Sequence, residues 1–123
     1  MLAVIDTNVL VSALMSPMGK PAQILQKILT REIQLCLDGR IYTEYIGVLT
    51  RPKFRFDPKR IELLLDFIEK NSIWVNADPC TISFVDESDK KFYEVAKACS
   101  AILITGNTKH FPVDPIVKTV HDV

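Results

Sequence analysis

The 123-residue sequence predicts an α/β fold, a mostly parallel sheet of four to five strands with helices on both faces. Three observations carry this expectation. Short apolar runs such as "LAVI", "IQLCL" and "AILIT" read as buried strands. The segments between them repeat their apolar residues at helical spacing, as crossovers between parallel neighbours must. Conspicuous polar residues, Asp6 and the Thr105 to Asn107 stretch, directly follow strands, where parallel sheets build their sites.

Taken in order, "LAVI" is the first strand, and "NVLVSALM" continues as a helix with Asn8 as a candidate N-cap. Gly19 and Pro21 mark a turn, and Ile24, Leu25, Ile28 and Leu29 then form the apolar stripe of a second helix begun by the proline. "IQLCL" is the second strand. Asp38 and Gly39 open a third helix carrying Ile41, Tyr45, Val48 and Leu49 on one side, which must end before Pro52. Asp57 and Pro58 form the N-cap and first turn of a fourth helix with Ile61, Leu64, Leu65 and Ile68 inward. "SIWV" is expected as a third strand with Trp74 in the core. The segment "DESDKKFYEVAKAC" places Phe92, Val95, Ala96 and Cys99 on one helical face, "AILIT" follows as a strand ended by Gly106, and "IVKTV" closes as a short edge strand.

With 48% hydrophobic residues the chain can bury one core but not two, so residues 1–123 are read as a single domain. Fifteen Lys+Arg balance fifteen Asp+Glu, so any nucleic-acid surface is a local patch. Cys36, Cys80 and Cys99 are odd in number and widely spaced, which indicates neither a disulfide framework nor a zinc knuckle; buried, reduced thiols are expected. Neither a leader nor a membrane-length apolar stretch is visible, so no membrane partner and a cytoplasmic location are expected.

The acids hold the chemical information. Asp6 ends the first strand; Glu44 lies on the edge of the third helix's apolar stripe; Asp89 precedes Phe92 by three and shares its inward side, with Asp86 one turn earlier. Taken singly, each has an ordinary structural explanation, as a loop-bonded carboxylate, a solvated helix edge, a helix N-terminal acid or, for Asn107, a turn residue. Taken together, four carboxylates on one rim repel by about 1 kcal/mol or more per close pair and call for a positive partner. With no His or Cys close by in sequence, an all-oxygen set suits Mg²⁺ or Mn²⁺ rather than zinc or copper, and such a rim suits phosphoryl chemistry.

The motifs "VIDTNVLVSAL", "EYIGVLTRPKF", "DESDKKFYEVAKA" and "AILITGNTKHF", in this order along essentially the whole chain, resemble the PIN domain. Among PIN proteins the chain is similar to the short toxin components of bacterial toxin-antitoxin systems, relatives of VapC. The resemblance implies a three-layer α/β/α sandwich, a Mg²⁺- or Mn²⁺-dependent ribonuclease, a homodimer, and a cognate antitoxin that blocks the site. Its acids fall on Asp6, Glu44 and Asp89, with Asp86 second in the third motif, and these are the implied metal ligands. Asn8 and Thr105 are supporting residues, and Asn107 stands where many relatives carry an aspartate, which takes one negative charge from the site and weakens a second metal ion. In the implied reaction a metal-activated water attacks phosphorus in line and leaves a 5′-phosphate and a 3′-hydroxyl, with Thr105 and Asn107 orienting water or phosphate.

"RPKFRF" alternates Arg51, Lys53 and Arg55 with Phe54 and Phe56, a pattern that suits single-stranded RNA and equally suits a solvated loop with its rings tucked inward. Lys90, Lys91, Lys109 and His110 lie beside the acids as phosphate contacts or as plain surface charge. Two alternatives compete. A haloacid dehalogenase-type phosphatase needs a second aspartate where this chain has Asn8; a PIN-fold module that binds RNA or protein without cutting is favoured by Asn107 and disfavoured by the three acids.

Overall fold

Strands Leu2–Ile5 (β1), Gln34–Leu37 (β2), Ile73–Trp74 (β3), Ile102–Ile104 (β4) and Val117–Lys118 (β5) form one sheet in the order β3-β2-β1-β4-β5, every pair parallel. The computed structural model describes residues 1–123. Helices Thr7–Met15 (α1), Lys20–Leu29 (α2), Gly39–Leu49 (α3), Pro58–Asn71 (α4) and Lys90–Cys99 (α5) connect the strands and complete an α/β/α sandwich. The fold class expected from the sequence is the one observed.

From β1 the chain adds β2 and then β3 on one side, and returns to place β4 and β5 on the other. The strand order therefore reverses beside β1, and the carboxyl ends of β1 and β4 border the crevice such a reversal leaves. In register, Val4 faces Leu103 and Ile5 faces Ile104, so the two strands end level. Asp6 and Thr105 consequently leave the sheet side by side, and the Asp6 amide still donates to the Ile104 carbonyl at 2.9 Å.

The core follows the apolar stripes. Val4, Ile5, Ile41, Tyr45, Phe92, Val95, Ala96, Leu103 and Ile104 are fully buried within one continuous cluster. Helix starts obey local chemistry: the Asp38 carboxylate accepts from the Ile41 amide at 3.0 Å, and Asp57 accepts from Lys59 at 3.1 Å ahead of Pro58. At the end of α5 Ser100 takes a left-handed conformation (φ 53°), and the Ala101 amide closes onto the Ala96 carbonyl at 2.9 Å.

Three expectations are corrected, and one buried residue went unforeseen. Asn8 is not a cap: α1 starts one residue earlier, Asp6 holds the N-cap position without a side-chain cap bond, and Asn8 instead accepts from the Gly106 amide. Trp74 is not core: β3 spans two residues at the sheet edge, Trp74 is 44% exposed, and its indole donates to the Glu69 carbonyl at 3.0 Å. Of the cysteines only Cys36 is buried, which pushes its thiol up to about 12; Cys80 and Cys99 are half-buried. Glu94, invisible as a core residue, is buried on α5, accepting from Arg40 at 2.8 Å and from the Cys80 amide at 2.6 Å. Arg40 also pairs with Asp38 at 2.8 Å, so one guanidinium ties the start of α3 to α5 and satisfies a carboxylate too costly to bury alone.

Asp114 anchors the last strand. It pairs with Lys97 at 2.7 Å and accepts from the Tyr93 hydroxyl at 2.7 Å and the Ile116 amide at 3.1 Å, and these partners hold its carboxyl down at about 2. A carboxyl depressed in the folded state stabilises the protein above the ordinary value of 3.8, and that stability is lost as pH falls through about 2. Asp114→Asn is therefore expected to cost about 1 kcal/mol at pH 7, allowing for solvent screening, with the difference vanishing in acid. Urea denaturation at pH 7 and at pH 2 checks it; an equal loss at both pH values would contradict the ion-pair account.

Candidate functional site

Asp6, Glu44, Asp86, Asp89 and Asn107 line one open cleft of about 450 Å³ at the carboxyl edge of the sheet, together with Thr7, Asn8, Ser12, Val48, Phe54 and His110. The acids reach the cleft by three structural routes: β1, α3 and the turn before α5. Asp6 is carried by the end of β1 and is only 6% exposed. The Thr105 hydroxyl donates to its Oδ2 at 2.7 Å, and the Asn107 amide donates to that same hydroxyl at 3.0 Å. A chain of hydrogen bonds thus fixes the Asp6 carboxylate to the loop after β4.

Glu44 is delivered by α3, whose neighbouring Tyr45 is fully buried and donates its hydroxyl to the Ile5 carbonyl at 2.5 Å. That bond pins the helix one residue from Asp6. The Thr7 hydroxyl donates to Glu44 Oε2, and Lys91 Nζ pairs with Glu44 Oε1 at 2.8 Å, so both oxygens are engaged. Asp89 stands immediately before α5 and is paired by His110 Nδ1 at 3.3 Å. Asp86 lies one turn earlier, its Oδ1 accepting from the amide and hydroxyl of Ser88 at 2.9 and 2.7 Å.

These surroundings separate the carboxyls. Burial raises Asp6 above the ordinary range; Thr105 opposes the shift, while the charges of Asp89 and Glu44 add to it. Asp89 is raised by burial and by the Asp86 charge, with His110 and Lys91 opposing. Asp86 is lowered by its bonds to Ser88. Both raised carboxyls owe their shift first to burial and then to the charge of neighbouring acids, two penalties that a divalent cation relieves. The carboxylate and amide oxygens of the lining fit Mg²⁺ or Mn²⁺, and the His110 imidazole stands in the same cleft as a nitrogen ligand beside them. No three of the acids stand close enough to share an ion as positioned; Glu44 is instead paired with Lys91, and the His110 imidazole stands beside Asp89.

Other expected residues lie differently. Asn8 Oδ1 accepts from the Gly106 amide at 3.3 Å at the cleft wall. Lys53 sits 5.1 Å from the centre of the Phe54 ring. Arg51 and Arg55 line a second cavity, and Lys109 lines a third hollow with Phe111 and Asp114, outside the acid cleft. Lys90 is paired with Glu87 at 2.9 Å. Sequence reasoning missed Thr7 and Ser12 as cleft residues; Ser12, four after Asn8 on α1, was readable from helical spacing. The Thr7 to Glu44 bond, between residues 37 apart in sequence, carried no local signal.

An uncharacterized protein of the archaeon Methanocaldococcus jannaschii is 36% identical over 107 residues, covering 85% of this chain and 69% of that protein. A family model described as PIN domain matches residues 3–109. PIN domains are in general nucleases and in general use divalent metal ions. The matched span takes in Asp6, Glu44, Asp89 and Asn107 alike, and the chain belongs to the PIN domain family.

Proposed function

We propose that this chain is a Mg²⁺- or Mn²⁺-dependent endoribonuclease that hydrolyses single-stranded RNA, and that it is the toxin of a toxin-antitoxin pair. The supporting observation is the meeting of Asp6, Glu44, Asp86, Asp89 and Asn107 in one cleft, brought there by β1, α3, the turn before α5 and the loop after β4.

Asp6, Glu44 and Asp89, assisted by Asp86, would hold one or two cations. A divalent cation bound there supplies Lewis acidity and lowers the pKa of water. The chain's own groups do the positioning. Thr105 Oγ1 holds Asp6 Oδ2 in a single orientation, and the bond from Gly106 to Asn8 keeps the β4 loop against α1. The Asn107 side chain, exposed at the cleft and without a protein partner, is placed to donate to a scissile phosphate. Lys91, whose ammonium lies 2.8 Å from Glu44 Oε1, would supply a second phosphate contact. Nothing in this arrangement uses a substrate 2′-hydroxyl, so the preference for RNA rests on binding.

A toxin role adds a cognate antitoxin and a homodimer in the cytoplasm. No helix is long and apolar enough to cross a membrane. A hollow of about 330 Å³ between α1, α2 and α4, with Leu29 and Leu63 exposed beside it, supplies apolar surface for protein contacts. The chemistry is tested by mapping product ends after incubation of purified protein with RNA and with DNA of one sequence. The expected result is cutting of RNA that leaves 5′-phosphate and 3′-hydroxyl ends; 2′,3′-cyclic phosphate ends would exclude a water-driven mechanism.

Two observations favour a second reading, a PIN-fold module that binds RNA or protein without cutting. Lys91 already neutralises Glu44, and Asn107 stands where an acid is expected. Thermal melting separates the two: an active nuclease gains stability with Mn²⁺ by mass action, and a dead module does not.

A further inference from the structure

The segment Arg51 to Phe56, between α3 and α4, joins the acid cleft to a second cavity. Phe54 lines the acid cleft; Phe56 lines a cavity of about 450 Å³ formed by the end of α3 and the start of α4. The two rings stack on each other, their centres 5.3 Å apart and their planes 12° from parallel. One continuous aromatic pair therefore runs from the carboxylates to the neighbouring cavity.

The cavity's chemistry is specific. Leu49, Pro52, Phe56 and Ile61 give it apolar walls, and Arg51 and Arg55 supply two guanidinium groups against a single acid, Glu62. Neither arginine makes an ion pair. Arg55 is held in the left-handed conformation (φ 54°), with its amide on the Pro52 carbonyl at 3.1 Å. As the C-cap of the short 3₁₀ turn Pro52–Phe54, Arg55 takes the left-handed conformation that commonly ends such a turn. Here the turn at Arg55 sets Phe54 and Phe56 to stack while both arginines stay on the cavity wall. Apolar walls, one aromatic face and two unpaired guanidiniums form the complement of a nucleotide, with its flat base and its anionic phosphate. The volume falls within the range of about 300–1,000 Å³ that small-ligand sites occupy.

We infer that this cavity is a subsite for a nucleotide beyond the two joined by the scissile phosphate, its base against Phe56 and its phosphate on Arg51 and Arg55, with Phe54 carrying the strand between cavity and carboxylates. The inference rests on the nuclease reading and extends it to the path of the substrate.

The test compares wild type with Arg51→Gln/Arg55→Gln on a 12-nucleotide single-stranded RNA and on a dinucleotide too short to reach both sites, in Mn²⁺, with melting temperatures confirming that both proteins fold. The expected result is a KM roughly tenfold higher on the long RNA, an unchanged dinucleotide reaction, and a salt dependence of long-RNA binding shallower by about 0.7 for each phosphate the variant no longer neutralises. An unchanged KM on the long RNA, beside normal wild-type cutting, would overturn the subsite and leave the nuclease standing. An equal loss on both substrates would also overturn it, by showing a general effect of charge. If wild type cuts neither RNA, the nuclease reading fails and the subsite falls with it. If the double variant keeps its RNA kinetics but loses affinity for an acidic peptide, the cavity belongs to a protein segment and the inference is overturned.

Discussion

Asp6→Asn is expected to abolish metal-dependent RNA cleavage, by roughly a thousandfold or more, while making the metal-free protein more stable. Both effects have one cause. Asp6 is nearly buried, and its carboxyl is raised by that burial, with the charges of Asp89 and Glu44 adding to the shift. An amide of the same shape keeps an acceptor for the Thr105 hydroxyl, removes the repulsion and removes a metal ligand. The gain is expected to be about 1 kcal/mol at neutral pH, or about 4 °C in melting temperature. The sign follows from linkage. Because the folded-state carboxyl sits above 3.8, ionised Asp6 is a burden at all pH values above that raised position, and the burden disappears as pH falls toward 3.8. The advantage of Asp6→Asn is therefore full at pH 7 and gone in acid. Melting curves with chelator at both pH values check it; a destabilised Asp6→Asn at pH 7 would show that Asp6 is a structural residue whose charge the fold needs.

Lys91→Met is expected to tighten Mn²⁺ binding roughly tenfold and to weaken the metal-free protein by about 1 kcal/mol. Lys91 lies on the first turn of α5 with a side chain only 13% exposed, and its ammonium rests 2.8 Å from Glu44 Oε1. A cation that uses Glu44 must first displace that ammonium, so part of the metal's binding energy goes into breaking an existing pair. Methionine keeps the packing volume and removes the competitor, leaving the Glu44 charge unbalanced until metal arrives. Calorimetric titration with Mn²⁺ measures the affinity, and the melting temperature with and without Mn²⁺ should shift further in the variant than in wild type. An unchanged Mn²⁺ affinity would mean that Glu44 lies outside the metal's reach.

The fold was legible in the sequence because its elements are locally consistent. The strand runs are short and bounded, the stripes of α2, α4 and α5 keep helical spacing, and Asp38 and Asp57 mark helix starts by their own chemistry. The acids were legible as inward-pointing positions on those elements. What stayed hidden was long-range pairing. Nothing in the sequence tells that Lys91 meets Glu44, that His110 meets Asp89, or that Arg40 compensates a buried Glu94, because each pair joins segments that meet only when the sheet closes. Trp74 misled for a related reason: its strand is apolar, but a two-residue edge strand has a neighbour on one side alone, so the indole stays half in water. Asn8 misled because it is a good capping residue that found a partner across the crevice, the Gly106 amide, instead of within its own helix.

The central claim, that this carboxylate cleft is a metal-dependent ribonuclease centre, is tested most directly by incubating purified protein with a labelled pool of single-stranded RNA. The assay runs in Mn²⁺, in Mg²⁺ and in chelator, beside Asp6→Asn prepared identically. The expected result is cutting by wild type that requires the metal and is absent in Asp6→Asn. Equal behaviour of the two proteins across both metals and the whole pool would contradict the claim and assign the cleft to binding without cleavage.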